Sequence, residues 1–178
     1  MNLPIVVGIT GASGVIYGVE ILRALKKLEV PTHLIITEAG ARTLILETEI
    51  ALAEIKALAD VVHSNRDIAA SISSGSFLTR GMIVAPCSIK TLSSIANSYD
   101  ADLVARAADV TLKERRPLVL MVRETPLHKG HLDLMARAAD YGATIQPPMP
   151  AFYHKPQTLQ DIVDQGVARA LDQLGIMN

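Results

Sequence analysis

The stretch Gly8-Ile9-Thr10-Gly11-Ala12-Ser13-Gly14 has the residue types and spacing of an anion-binding turn. An apolar run, Leu3 to Val7, precedes it, and a helical pattern from Val15 to Leu28 follows. A strand that turns tightly into a helix leaves backbone N–H groups unpaired at the helix start. With the helix dipole, those donors suit a phosphate. Glycine lets the backbone bend sharply and approach a ligand. The pattern is not a Walker A loop, because no Gly-Lys-Ser/Thr follows. It reads G-x-x-G-x-x-G, which also departs from the dinucleotide fingerprint G-x-G-x-x-G. An ordinary strand-to-helix turn would use the same glycines.

Charged and polar residues farther along suggest what such an anion site could do. Arg106 and Lys113 lie seven residues apart on a predicted helix and so share a face. Arg123, at a strand end, and Arg169, on the last helix, are able to join them. Each alone suits a solvated surface charge; converging, they form a phosphate clamp, with arginine giving fork-like hydrogen bonds. Glu47, in a break between helices, and Glu124, beside Arg123, are the carboxylates of interest. Tyr153 follows a proline-stiffened run, which suits either a phenol held in a site or a ring packed under a loop. His128 and His131 are three apart on a helix, but no carboxylate or cysteine completes a metal set, so they read as structural. Cys87 stands near a helix start, where a thiol can be nucleophilic, although a buried inert thiol is the better reading.

These residues need a frame, and the alternation of elements reads as α/β throughout. Strands are predicted at Leu3–Ile9, Thr32–Thr37, Met82–Ala85, Leu118–Val122 and Ala143–Ile145. Helices are predicted at Val15–Leu28, Ala39–Leu46, Ala51–Leu58, Ile89–Ala96, Asp102–Arg115, Leu127–Tyr141 and Leu159–Leu174, the last opened by Thr158 and closed by Gly175. Asn65 to Thr79 is the least regular part. Its Ser71-Ile72-Ser73-Ser74-Gly75-Ser76 core reads as a flexible, hydroxyl-rich loop, either a solvated connection or a functional one. Strands apolar on both faces imply a mostly parallel sheet covered by helices on each side. Ligands of such sheets bind beyond the carboxyl ends of the strands. That rule gathers Ser13, Thr37, Cys87, Ser88, Arg123 and Glu124 on one rim.

Composition narrows the function classes. The 178 residues fit one domain, 1–178, and 49% are hydrophobic, enough for a sizeable core. The net charge is -1, and only two Phe, four Tyr and no Trp occur. Nucleic-acid binding by a basic surface or a stacking platform is not expected. No apolar run reaches a membrane span, and the N-terminus lacks a signal-type pattern. A lone cysteine fits a reducing cytoplasm.

In combination the motifs resemble those of UbiX-type flavin prenyltransferases. They are Gly-Ala-Ser-Gly at 11–14, Ser-Ile-Ser-Ser-Gly-Ser at 71–76, Pro-Cys-Ser-Ile-Lys-Thr-Leu at 86–92, Arg-Ala-Ala-Asp-Val at 106–110, Leu-Lys-Glu-Arg-Arg-Pro-Leu-Val-Leu at 112–120, Arg-Glu-Thr-Pro-Leu at 123–127 and Pro-Ala-Phe-Tyr-His-Lys-Pro-Gln at 150–157. The resemblance implies a Rossmann-like or flavodoxin-like three-layer fold assembled as a homododecamer. It implies a metal-independent transfer of a dimethylallyl group from dimethylallyl phosphate to N5 and C6 of reduced FMN. The prenylated FMN then serves a UbiD-type decarboxylase. Carried over by motif, Gly11, Ala12, Ser13, Thr37, Ser88, Ile89, Lys90, Thr91 and Arg123 contact FMN. Tyr153 and Arg169 contact the dimethylallyl phosphate, and Arg106, Lys113 and Glu124 complete its phosphate site across a subunit boundary. Ser13, Glu47 and Glu124 are the catalytic polar groups.

The sequence departs from that family in two places. Thr37-Glu38 stands where Ser-Lys is usual, which keeps the hydroxyl and reverses a charge beside the flavin. The chain ends at Asn178, soon after the last predicted helix, whereas many members continue with a tail whose tryptophan helps cover the site. Two other readings share the flavin. A flavin-dependent cysteine decarboxylase needs a Pro-x-Met-Asn clamp, and here Pro148-Met149 leads to Pro150. A flavin carrier without its own catalysis would bind FMN and form no product.

Overall fold

The computed structural model describes residues 3–176. Six strands, β1 (Ile5–Ile9), β2 (Thr32–Ile36), β3 (Val61–Ser64), β4 (Gly81–Cys87), β5 (Leu118–Val122) and β6 (Ala143–Ile145), form one sheet in the order β3-β2-β1-β4-β5-β6. Every pairing is parallel. The helices are α1 (Val15–Lys27), α2 (Glu38–Glu47), α3 (Leu52–Lys56), α4 (Ile89–Ala96), α5 (Leu103–Lys113), α6 (Lys129–Asp140) and α7 (Leu159–Gln173).

Strand side chains alternate between faces, and the core divides accordingly. Ile5, Val7, Ile9, Ile83, Val119 and Met121 pack with α1 and α7. Val6, Met82, Val84, Leu118, Leu120 and Val122 pack on the other face with residues of α4 and α5. Both sides of the central strands are therefore dry, which is why they read as unbroken apolar runs. The result is the three-layer α/β fold expected from the sequence. Its strand order is that of a doubly wound Rossmann sheet, which reverses between β1 and β4.

The differences from expectation have local causes. β3 has no counterpart among the predicted strands. It is four residues long, lies at the sheet edge and is largely exposed, so it carries no apolar alternation to read. β4 runs past Pro86 to Cys87, although a proline usually marks a strand end. Its register with β5 shifts between Val84 and Cys87, which absorbs the missing N–H. Thr37, Asp102 and His128, expected inside a strand or a helix, instead cap α2, α5 and α6. Thr158 caps α7 as expected, in a full capping box with Asp161.

The 71–79 segment is not the flexible loop its composition suggests. Ile72 is buried, and Ser71–Ser73 forms a 3₁₀ turn. Arg106 Nε donates to the Ser73 carbonyl, and Arg116 donates to the carbonyls of Gly75 and Phe77.

Candidate active site

A cleft of about 680 Å³ opens beyond the carboxyl ends of the strands, at the β1/β4 reversal. Its walls come from five strand ends: Gly11 after β1, Thr37 after β2, Asn65 and Arg66 after β3, Ser88 after β4 and Glu124 after β5. That volume suits a ligand of cofactor size.

The glycine turn reaches the cleft because two positions need glycine. Gly14 sits at φ +94°, in the left-handed region. A Cβ on Gly11 would overlap the Ala39 side chain, so only glycine lets this turn lie against α2. Thr10 beside it is buried and works inward. Its hydroxyl donates to the Pro86 carbonyl at 2.7 Å and accepts from the Ser88 N–H at 2.8 Å. It thereby ties the end of β1 to the start of α4.

The structure changes where an anion can sit. Sequence spacing points to the start of α1, but Glu47 already occupies it. Its Oε2 accepts from the N–H of Gly14 at 2.8 Å and of Val15 at 3.2 Å. Glu47 does not lie in a break between helices as expected: it is the last residue of α2, and that helix carries its carboxylate back onto the start of α1, a long-range cap that no local pattern reveals. The starts of α2 and α4 remain. Thr37 Oγ1 accepts from Gly40 N, and Ser88 Oγ accepts from Thr91 N. The first-turn N–H groups of Glu38, Ala39, Ile89 and Lys90 have no intrahelical acceptor and belong to residues of the cleft wall. Two helix starts thus converge on one cavity, an arrangement suited to phosphate.

Of the sequence-predicted residues, Gly11, Thr37, Ser88, Ile89, Lys90, Thr91 and Glu124 line this cleft. Ala12 and Ser13 continue the same turn, with Ser13 exposed, and Arg123 is exposed next to Glu124. The other cations are not gathered there. Arg106 pairs with Asp100 at 2.9 Å and Asp109 at 3.2 Å, and Lys113 pairs with Glu114 at 2.7 Å. Arg169 borders a separate groove of about 320 Å³ between α7 and the Pro147–Met149 segment, and it pairs with Asp172. Tyr153 is 79% exposed and stacks on His154. One chain alone therefore does not assemble the clamp.

Electrostatics sort the remaining candidates. Burial pushes the Cys87 thiol up to about 12, so it stays protonated and is no nucleophile. Asp109 is raised, chiefly by burial and then by Asp100, with Arg106 and Lys113 opposing. His128 accepts from Gly130 N through Nδ1 and stacks on His131 at 3.7 Å, in keeping with a structural role. Among the described residues, no group of three or more His, Cys, Asp or Glu is placed to hold a metal ion.

The flavoprotein family model matches residues 1–171. Flavin prenyltransferase UbiX of Escherichia coli K12 is 61% identical over 173 residues, spanning 97% of this chain and 92% of that protein. The chain belongs to the UbiX-type flavin prenyltransferases. Two solved structures are close in shape. AnUbiX (PadA1), in complex with FMN and dimethylallyl pyrophosphate, superimposes with a TM-score of 0.98 at 47% identity, covering 99% of this chain and 94% of that one. A dodecameric FMN-dependent UbiX-like decarboxylase from Escherichia coli O157:H7 does so at 0.97 and 49%, covering 99% and 96%.

Sequence reasoning missed Asn65 and Arg66. They follow a strand with no readable pattern and sit in the stretch judged irregular. Their one signal was position, since they follow a strand end of a parallel sheet.

Proposed function

We propose that this chain transfers a dimethylallyl group from dimethylallyl phosphate to reduced FMN, and that the prenylated FMN passes to a UbiD-type decarboxylase. Residues 1–178 act as one flavin-binding domain. The observation that carries the reading is the cleft at the β1/β4 reversal, with the starts of α2 and α4 on its wall. Its hydroxyls and unpaired N–H groups suit the phosphate of FMN, and its volume of about 680 Å³ suits a ligand of that size.

Reduced FMN supplies the nucleophilic N5 and C6: the bond to N5 replaces the donor's bond to phosphate as N5 gives up its proton, and the bond to C6 forms from the prenyl double bond, whose other carbon takes up a proton as C6 loses one. The protein's part is positioning and charge. Gly11, Ala12, Ser13, Thr37, Ser88, Ile89, Lys90, Thr91 and Arg123 hold the flavin. Arg106, Lys113, Glu124, Tyr153 and Arg169 hold the donor. Cations aimed at the departing phosphate stabilise charge where it develops. Ser13, Glu47 and Glu124 place hydroxyl and carboxylate groups where protons must move. A dry wall keeps water from an allylic cation.

The donor site is completed between copies of the chain. Arg106 and Lys113 share α5 and are engaged by acids there, Tyr153 and Arg169 belong to other elements, and Met149, Phe152, Tyr153 and Leu159 are exposed in the segments that flank Arg169's groove. A relative of near-identical shape is a dodecamer. We assign the same state here, in the cytoplasm, where the lone, buried Cys87 stays reduced. Among the described residues no helix is long and apolar enough to cross a membrane.

The test is anaerobic incubation with reduced FMN and either dimethylallyl phosphate or its diphosphate, followed by mass spectrometry of the flavin. A gain of one dimethylallyl unit with either donor supports the proposal. FMN that binds and stays unmodified with both makes the chain a carrier.

A further inference from the structure

We propose that Arg66 is the cation that closes on the phosphate of the bound flavin, and that Glu38 holds it in reserve and sets how tightly that phosphate binds. This rests on the flavin reading of the cleft and adds a residue to it.

The argument begins with how the chain after β3 is fixed. Asn65 is held three ways against the start of α5. Its carbonyl accepts from Leu103 N, its Oδ1 accepts from Val104 N at 3.1 Å, and its Nδ2 donates to Asp102 Oδ2 at 3.1 Å. Arg66 N donates to Ser64 Oγ. The backbone that carries Arg66 is therefore anchored at the cleft wall. Its side chain is 91% exposed, and its guanidinium makes no hydrogen bond among the described residues. Its contact is a loose ion pair, 3.8 Å from Glu38, which follows the neighbouring strand β2. An anchored base under an uncommitted guanidinium, with five N–H donors, is what a clamp that grips an arriving anion requires.

The acids of the cleft differ in how far they are engaged. Asp102 caps α5 and holds Asn65. Glu124 accepts from Thr125 N. Glu38 alone faces cations on two sides, Arg42 at 2.6 Å on its own helix and Arg66 opposite. It also sits in the first turn of α2, where a phosphate would be received. An unshielded carboxylate there repels a dianion. Arg42 holds Glu38 to its own helix, so Arg66 is free to exchange Glu38 for phosphate. Without Glu38's competition, Arg66 would bind phosphate more strongly.

The experiment compares FMN with riboflavin, which lacks only the phosphate, by fluorescence titration of the flavin-free full chain. Arg66→Met is expected to weaken FMN binding tenfold or more, leave riboflavin unchanged and reduce the salt dependence of FMN binding. Arg66→Lys recovers part of the loss. Glu38→Gln tightens FMN severalfold without affecting riboflavin. Thermal melting shows whether the variants fold, and Arg66 is exposed enough that they should. If the wild-type chain binds FMN and Arg66→Met binds it within twofold, the clamp is overturned and the flavin reading stands. If FMN and riboflavin weaken together, Arg66 shapes the loop and the clamp is again overturned. If the wild-type chain binds no FMN, both readings fall.

Discussion

The cleft and the face around α7 are built on opposite terms. In the cleft the groups that shape the wall are fixed before any ligand arrives, while Arg66 and the first-turn N–H groups of α2 and α4 are left open. Thr10 ties two strand ends together, Thr37 and Ser88 cap helices, and Asn65 is locked by three hydrogen bonds. Around Tyr153 the chain does the reverse. Three prolines at 147, 148 and 150 remove N–H donors, and Met149, Phe152 and Leu159 stand 72%, 73% and 82% exposed. Strand ends in a parallel sheet are stiff because each is bonded to its neighbours. A proline-rich segment on a helix has no such neighbours, and an apolar face of this kind marks an interaction site. The first region is finished inside one chain. The second, in the function proposed here, is finished by another copy.

Mixing two variants gives the sharpest test of that division. Arg169→Ala removes a charge-assisted contact to phosphate worth about 1.5–3 kcal/mol, so prenyl transfer should fall on the order of ten- to a hundredfold with FMN affinity unchanged. Ser13→Asp should abolish turnover from the cleft side by setting a negative charge against the bound anions. Oligomers reassembled from the two should regain activity, because some sites then draw an intact residue from each copy. Mixtures no more active than their components place both regions in one subunit's site.

Gly11→Ala tests how rigidly the cleft wall is set. Its Cβ meets Ala39, and overpacking of this kind costs about 1–3 kcal/mol. Urea denaturation should show the loss, and FMN affinity should drop with it. Wild-type stability would mean that the turn and α2 are free to separate, and the contrast with the α7 face would shrink.

Glu47→Gln sharpens the point about α1. The amide keeps the shape and loses the charge, so the helix start loses about 0.3–1 kcal/mol of dipole and cap stabilisation. Denaturation midpoints would register it, while an unchanged midpoint assigns Glu47 to the reaction alone.

The smallest effect concerns pH. His33 Nδ1 and His63 Nε2 lie 2.9 Å apart on β2 and the edge strand β3, with Phe77 against His33. Burial depresses His33 below the ordinary 6.5, His63 depresses it further, and Asp60 opposes. Burial also depresses His63, against Asp67. The unfolded chain therefore takes up these protons at a higher pH than the folded one. Their stabilisation is fully present above 6.5 and is lost as the pH falls through the depressed folded values. Melting temperature from pH 7.5 to 5 should show a drop that His33→Gln lessens. An equal drop in that variant would exclude the pair as its source.

Much of the fold was legible because its signals are local. Three strands, β1, β4 and β5, announced themselves as dry apolar runs, and Thr158 and Gly175 marked the ends of α7. β3 was not legible, since an exposed edge strand needs no pattern beyond its pairing with β2. The candidate site divides in the same way. Thr37, Ser88 and Glu124 follow from the strand-end rule and Gly11 from the glycine turn, whereas Asn65 and Arg66 depend on β3, which has no sequence pattern of its own.

By itself the sequence determined that glycines separate the first strand from the first helix, that the strands are buried on both faces, and which hydroxyls follow them. Those are properties of neighbours in the chain, set by backbone sterics and hydrophobic period. Tertiary structure decided which helix start stays open to an anion. Glu47 reaches back over thirty-three positions to close α1, while α2 and α4 keep their first-turn donors for the cleft. It also decided that Arg66 meets Glu38 and that Arg169 borders a different groove. Such meetings depend on strand order, and strand order follows from how the helices cover the two faces of the sheet.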